Sequence, residues 1–517
     1  MTRSKYLLAH DTGTGGDKAV LTDLQGRIIH SRYQPYPVHY PRPDWAEQDP
    51  EELWRAVAGT TRAVIEAAGI DPAEILGVGI SAQMFNLLPV DEAGTPLMPM
   101  LSWLDVRSVK QADRLLAGDL PAFLFQHTGN IPTAKDVIPK ILWLQEERPD
   151  LWDRTAYLLD CKEYILFRLT GRVTTDYHGA SVYFLFDPYQ KAWSREACQA
   201  LGIPLGRLPP AVPCTRVIGE VTEQAAKVTG LLAGTPVVAC AGDVAVAQAG
   251  SGANAAGKAH LSVGTATWVG VSSAAFTNDP VKPFWGLNHI DPDKWIIAGE
   301  METGGGALMW FRDAFCEWEK QQATARGIST YEILSEMAGA IPPGADKLIF
   351  APWLSGERAP VLDHYARGAF VGLGLSHTKG HLARAVMEGV AFHIRWILEA
   401  MQAIGLKVET LNAIGGGSTS SVWTQILSDI TGRPLNVVEN PQEAGAIGAA
   451  LTVAVGMGVY RNMEETDDLI RILRVVRPIE DRRGARYDEL YREYRAVYDA
   501  LTPIYRRLSS IGLEPME

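Results

Sequence analysis

Asp11-Thr12-Gly13-Thr14-Gly15-Gly16-Asp17-Lys18 brings together residue types that bind phosphate and hydrated metal. It lies between two short apolar runs, Tyr6-Leu7-Leu8-Ala9 and Ala19-Val20-Leu21, so it reads as the tip of a β-hairpin. Glycines there are expected at positive φ, and they let backbone approach a ligand closely. Exposed N–H groups in such a turn form a concavity for phosphate oxygens. Asp11, at the strand end, is placed to hold hydrated Mg2+, which takes one or two carboxylates plus substrate phosphates. Taken alone, the stretch is as simply a Gly-rich hairpin whose Asp bonds its own backbone. Residues 258–271 repeat the pattern as strand, Gly264-Thr265 turn and strand. Two such turns half a chain apart suggest a duplicated fold that grips one phosphate chain from both sides.

The elements around these turns follow from local signals. Asp49 is a helix N-cap and Pro50 a first helical residue, with Gly69 as the stop. Ile75 to Ile80 is a buried strand ending in Ser81-Ala82-Gln83-Met84-Phe85-Asn86. Leu101 to Arg107, if extended, sets Trp103, Asp105 and Arg107 on one side. Residues 136–170 read as helical. Val237 to Ala241 is a strand with Gly242-Asp243 at its end, and Asp243 taken alone is a helix N-cap. Residues 251–257 are the expected hinge. In the second half Gly304-Gly305-Gly306 opens a helix, and residues 380–401 form a long amphipathic one. Gly415-Gly416-Gly417-Ser418-Thr419-Ser420 joins a strand to a helix. Asn440-Pro441-Gln442-Glu443 reads as N-cap, first-turn proline and capping-box acid of a Gly- and Ala-rich helix that packs closely on another backbone.

A chain of 517 residues is too long for one core. Two domains, 1–253 and 254–517, are expected. The net charge of −12 argues against general nucleic-acid or anionic-membrane binding. Five cysteines without a C-x-x-C indicate neither a disulfide framework nor a zinc site. No membrane span or signal-like segment is read, so a soluble, cytoplasmic protein is expected. The P-loop, dinucleotide, H-E-x-x-H and G-x-S-x-G patterns do not occur.

The first hairpin, Asp44-Trp45-Ala46-Glu47-Gln48-Asp49-Pro50, Trp103-Leu104-Asp105-Val106-Arg107 and Ala241-Gly242-Asp243 together resemble the FGGY carbohydrate kinases. Gly356-Glu357-Arg358-Ala359-Pro360, Arg384 to Gly389, and Gly415 to Ser418 with Trp423, Gln425, Asp429 and Thr431 to Pro434 extend the resemblance over nearly the whole chain. The pattern is most similar to the xylulose kinases. The resemblance implies an α/β fold of two actin-like (ribonuclease H-like) domains with the active site in the cleft between them. It implies ATP-dependent phosphorylation of a sugar hydroxyl, with Asp243 as general base and Asp11 as the Mg2+ partner. Gly13, Thr14, Gly15 and Lys18 would hold phosphates from one side, Gly264 and Thr265 from the other. Gly305, Gly415, Gly416, Gly417 and Ser420 would line the adenosine pocket. Gln83, Met84, Phe85, Trp103 and Asp105, with Asp243, would form the sugar site.

Two departures stand out: Gly15 replaces a hydroxyl residue, and Phe85-Asn86 stands where xylulose kinases have His-Gly. A ketopentose, D-xylulose first, is the expected substrate. Ribulose, erythritol or a linear dione is the alternative within kinases. A non-catalytic actin-like ATPase, or a kinase-derived binding protein, is the alternative outside them. The partners expected are a small sugar and ATP, and a homodimer is compatible with this reading.

Overall fold

The computed structural model describes residues 5–281 and 284–511; the remaining residues of the two expected domains, 1–4, 282–283 and 512–517, lie outside the described residues. Strands β1 (Tyr6–Gly13), β2 (Gly16–Asp23) and β3 (Ile28–Pro35) form an antiparallel ribbon. Leu7, Leu8 and Ala9 are fully buried, as a strand covered on both faces requires. Helix α1 (Pro50–Ala68) starts where Asp49 accepts the Glu51 N–H and stops at Gly69, φ 63°. Strand β4 (Ile75–Ala82) runs parallel to β1.

The helical stretch expected over 136–170 is divided. It contains α2 (Val137–Glu147), a helical turn at Pro149–Arg154, a short strand at Tyr157–Leu159 and α3 (Cys161–Thr170). Pro149 has no N–H to continue the first helix, which accounts for the first break. Strands β5 (Val217–Glu220) and β6 (Pro236–Val238) complete a six-stranded sheet ordered β5-β6-β4-β1-β2-β3. Helix α4 (Asp243–Gly250) leaves the carboxyl end of β6.

The second half uses the same plan. Strands β7 (Ala259–Val263), β8 (Thr267–Ser273), β9 (Trp285–Asn288) and β10 (Trp295–Met301) are antiparallel neighbours, and helix α5 (Gly305–Phe315) follows. After the long α6 (Lys379–Ala403) come β11 (Leu411–Ile414), α7 (Ser421–Thr431) and β12 (Leu435–Val438). Then follow α8 (Ala444–Gly456), β13 (Ile472–Val476) and α9 (Arg482–Ser509). The sheet order is β9-β10-β8-β7-β11-β12-β13. In both sheets a hairpin strand sits at the centre, antiparallel on one side and parallel to a crossover strand on the other.

The halves meet backbone to backbone at α4 and α8. A Cβ on Gly250 would overlap the Ala444 carbonyl, and one on Gly448 would overlap the Val246 carbonyl. Helix α8 is apolar on every side because both halves cover it. Its Ile447, Leu451 and Val453 share one core with Leu7 and Val20 of the first sheet and Ile296 of the second. The expected start of α8 is corrected: it begins at Ala444, not after Asn440. Asn440 takes φ 54° in a turn that the Glu443 N–H closes onto its carbonyl at 2.9 Å. Residues 251–257 are not a loose linker. Asn254 is buried, and its amide Nδ2 donates to Asp467 Oδ1 at 2.6 Å.

All five cysteines are buried free thiols. Among the described residues no helix is long and apolar enough to cross a membrane.

Candidate active site

The carboxyl ends of β1, β4 and β6 face those of β7 and β11 across a cavity of about 440 Å3. Open α/β sheets bind ligands at such strand ends because the connecting turns expose backbone groups there. Asp11, Gly13, Thr14, Gln83, Met84, Phe85, Trp103 and Asp243 line it from one half; Gly264, Thr265 and Gly415 line it from the other.

Gly13 pairs with Gly16, leaving Thr14 and Gly15 as the hairpin tip. None of these three glycines takes positive φ, so that expectation is corrected. Space rather than φ demands glycine at 16: a Cβ there would lie 2.7 Å from the Gln34 carbonyl. The tip is braced, since Trp103 Nε1 donates to Thr14 Oγ1 at 2.8 Å and Gln48 Nε2 donates to the Thr14 carbonyl at 2.9 Å. Gln83 Nε2 donates in turn to Gln48 Oε1 at 2.6 Å.

Three expected site residues lie elsewhere. Gly15 and Lys18 are not on the cavity wall. Lys18 reaches across the halves instead, with Nζ 3.0 Å from Glu443 Oε2 and donating to the Gln442 carbonyl at 3.2 Å. Asp105 is fully buried behind the wall, where it accepts the Ala46 N–H at 2.7 Å and pairs with Arg107 at 2.8 Å. The run after Leu101 turns rather than staying extended, so the alternation that would aim Asp105 and Trp103 together is lost.

Phe85 adopts φ 64°. Lys140 Nζ, from α2, donates to its carbonyl at 2.7 Å. Asn86 is fully buried; its amide donates to Asp160 Oδ1 at 2.7 Å and accepts the Trp103 N–H at 3.0 Å. Asn86 thus holds the turn from behind.

Asp243 opens α4, and its Oδ1 accepts the Val244 N–H at 2.8 Å. Burial, with the nearby charge of Asp11, lifts its carboxyl to about 7. Burial lifts Asp11 to about 6, against the pull of Lys18. A Cβ on Gly445 would lie 2.8 Å from Asp11 Oδ2, so only glycine lets the start of α8 come this close. Two carboxylates both raised by burial, Asp243 further by the charge of Asp11, fit a divalent cation. Among the described residues no group of three or more His, Cys, Asp or Glu is arranged as a metal cage. Such a cation would complete its shell from phosphate and water, as Mg2+ does.

A second cavity of about 430 Å3 adjoins the first. Gly305, Gly416, Gly417 and Ser420 line it with Leu308, Met309 and Tyr331, and its wall at Gly264, Thr265 and Gln442 is shared with the first. The Gly305 N–H donates to the Gly264 carbonyl at 2.7 Å, docking α5 on the turn. Gly415 takes φ 85°, and a Cβ there would lie 2.7 Å from the Val263 carbonyl.

Sequence reasoning missed Lys135, Asp136, Trp285, Glu300, Glu302 and Arg358 on the cavity wall. Glu300 carried a signal, as a carboxylate inside the buried run Trp295–Met301. Arg358 sat in a quoted motif without a role, and Asp136 was concealed as a helix start.

Duplicated sheets with Gly-rich turns converging on one cleft define a two-domain actin-like kinase fold. The profile described as the FGGY family of carbohydrate kinases, N-terminal domain, matches residues 6–250, and its C-terminal counterpart matches residues 259–457. The chain belongs to the FGGY family of carbohydrate kinases, a sugar kinase that transfers phosphate to a hydroxyl. It is 29% identical to a xylulose kinase of Bacillus subtilis over 96% of this chain and 97% of that one. It is 30% identical to a gluconokinase of the same organism over 98% and 96%. Among solved structures it is similar to a ligand-bound xylulose kinase from Lactobacillus acidophilus, at TM-score 0.87 and 26% identity over 98% of this chain and 100% of that one. A gluconate kinase from the same species gives 0.87 and 25% over 98% and 99%.

Proposed function

We propose that the chain transfers the γ-phosphoryl group of ATP to a hydroxyl of a neutral ketopentose, D-xylulose first and ribulose next. Charge at the cavity wall carries this reading. Among the described residues of this wall, Asp11, Asp136, Asp243, Glu300 and Glu302 face two cations, Lys135 and Arg358. Both are already paired, Lys135 to Glu302 at 2.6 Å and Arg358 to Asp136 at 3.2 Å. The carboxylate of a sugar acid would meet like charge with no uncommitted cation among the described residues of this wall. Met84, Phe85 and Trp103 offer apolar faces to a sugar carbon chain, and Gln83 a polar edge.

In this reading Asp243 accepts the proton of the attacking hydroxyl. Asp11 would hold Mg2+, which would neutralise charge on the transferring phosphate. Gly13 and Thr14 face the phosphates from one half, Gly264 and Thr265 from the other. The second cavity takes adenosine against Gly305, Gly416, Gly417 and Ser420. Because the Gly264-Thr265 turn walls both cavities, a nucleotide in one presents its terminal phosphate to the other. Five buried free thiols suit a reducing cytoplasm.

The test is kcat/KM for sugar-dependent ADP release over D-xylulose, D-ribulose, gluconate, erythritol and glycerol. D-Xylulose is expected to lead gluconate by more than about tenfold, the scale of a mispaired buried charge. Gluconate in the lead would replace the ketopentose reading, and the gluconokinase relative makes it the second candidate. ADP release indifferent to every sugar would instead point to an ATPase of the same fold.

We further propose that residues 1–253 and 254–517 act as two domains that close about residues 251–257. Solution scattering is expected to show a smaller radius of gyration with sugar and a non-hydrolysable ATP analogue than without. An unchanged radius would exclude closure about this segment.

A further inference from the structure

Arg358 is a buried cation that belongs to one half and bonds to the other. Its Nη2 donates to Thr133 Oγ1 at 3.0 Å and to Asp136 Oδ1 at 3.2 Å. Beside it, Lys135 Nζ lies 2.6 Å from Glu302 Oε2, so two ion pairs cross the cavity wall side by side. Glu357 holds the far ends together: its Oε1 accepts the Glu302 N–H at 3.0 Å and the Arg358 N–H at 2.9 Å.

Asp136 sits at the N-cap of α2 yet makes no cap bond to that helix. Its carboxylate instead accepts the Thr133 N–H at 2.6 Å and Arg358. A carboxylate normally stabilises a helix by capping it, so its place here is set by the crossing pair. The next turn of α2 carries Lys140, whose Nζ donates to the carbonyls of Phe85 and Lys135. The Arg358 guanidinium also lies 5.9 Å from the Phe85 ring and 5.0 Å from the Trp285 ring. Phe85 is therefore held from one side by Arg358 itself and from the other through Asp136, α2 and Lys140. Arg358 Nε is buried without a hydrogen-bond partner, 3.5 Å from Glu300 Oε2 of the same half.

We propose that Arg358 and Asp136, with Lys135 and Glu302, form a latch between the halves that fixes the Phe85 turn and makes phosphoryl transfer depend on sugar. Arg358 and Asp136 are positioning residues: they act on the sugar through Phe85. When the latch is shut, the cavity excludes water and the attacking hydroxyl is aligned. When it is loosened, water reaches the phosphate and the sugar is misplaced. The inference rests on the sugar-kinase reading of the cavity, not on which sugar is preferred.

The test compares wild type with Asp136→Asn, Arg358→Met, Arg358→Lys and the Asp136→Asn/Arg358→Met double variant. ADP release is measured with and without the best sugar, alongside thermal melting. The single variants are expected to lower sugar-dependent kcat/KM by about 10²-fold, the cost of slight misplacement at a reacting centre. KM for sugar should rise, and the ratio of sugar-dependent to sugar-independent ADP release should fall. The double variant should lose no more than the worse single, since either change opens the same latch. Arg358→Lys keeps the charge without the two-nitrogen fork and should recover part of the loss. Variants within twofold of wild type overturn the proposal. So do additive losses, or parallel losses of both activities that follow a falling melting temperature. Wild type without sugar-stimulated turnover would instead count against the reading of the cavity.

Discussion

Asp243→Asn is expected to lower sugar-dependent turnover by about 10²–10⁴-fold while leaving the fold and nucleotide binding intact. Asp243 lines the cavity at the start of α4, between the two hairpin turns. Its Oδ1 bond to the Val244 N–H can be kept by an amide oxygen, so the helix start should survive the substitution. What the amide cannot do is accept a proton. Single-turnover measurements of ADP formation, together with nucleotide titration, separate the two effects. Near-normal turnover in the variant would remove Asp243 from the role.

A pH dependence accompanies it. Burial and Asp11 hold Asp243 at about 7 in the free protein. Only the deprotonated form serves as base, so kcat/KM should be highest above that value and fall tenfold per unit as pH drops below it. Bound Mg2+ favours the anion and moves this limb down, never up. Asp11→Asn removes the neighbouring negative charge and should also move the limb to lower pH, beneath a much reduced maximum. A limb that moves upward in that variant would contradict the coupling.

The second large effect is expected from Gly448→Ala. The added methyl would overlap the Val246 carbonyl of α4, a backbone atom that cannot swing aside. Helices α4 and α8 must then separate, at about 1–3 kcal/mol or more. Asp243 opens α4, so the same displacement shifts the catalytic carboxylate and should lower turnover by about 10²-fold. Gly484→Ala in α9 is the control: no atom lies within 4 Å of a Cβ there, and alanine is the better helix former. It should stabilise by about 0.5–1 kcal/mol. Melting curves of both variants decide the matter. A Gly448→Ala protein as stable as wild type would mean that the helices are not in backbone contact in solution.

Local chemistry was legible from the chain itself. Short apolar runs marked β1 and β4, the repeated strand and Gly-Thr turn marked β7, and Asp49, Pro50 and Gly69 bounded α1, because these signals act over a few residues. The repeated hairpin announced a duplicated fold, and the small residues of α8 announced a close backbone contact. The family resemblance, more than any single turn, pointed to Asp11, Thr14, Gln83, Asp243 and Gly264, and the structure puts them on one cavity at the carboxyl ends of parallel strands. Gly415, expected at the adenosine pocket, lines this cavity and not the second.

Other features depended on long-range partners. Asp105 turned away from the cavity because Arg107 and the Ala46 N–H claimed its carboxylate. Asn86 became a strut because Asp160 lay within reach behind it. Asn440 took up a turn rather than a cap, so α8 begins beside Asp11. Arg358 and Asp136, more than two hundred residues apart, met only when the halves folded against each other. Sequence determines what a side chain is able to bind. Tertiary structure decides which of its possible partners arrives first, because a buried charge takes whatever counter-charge the fold brings within hydrogen-bond distance.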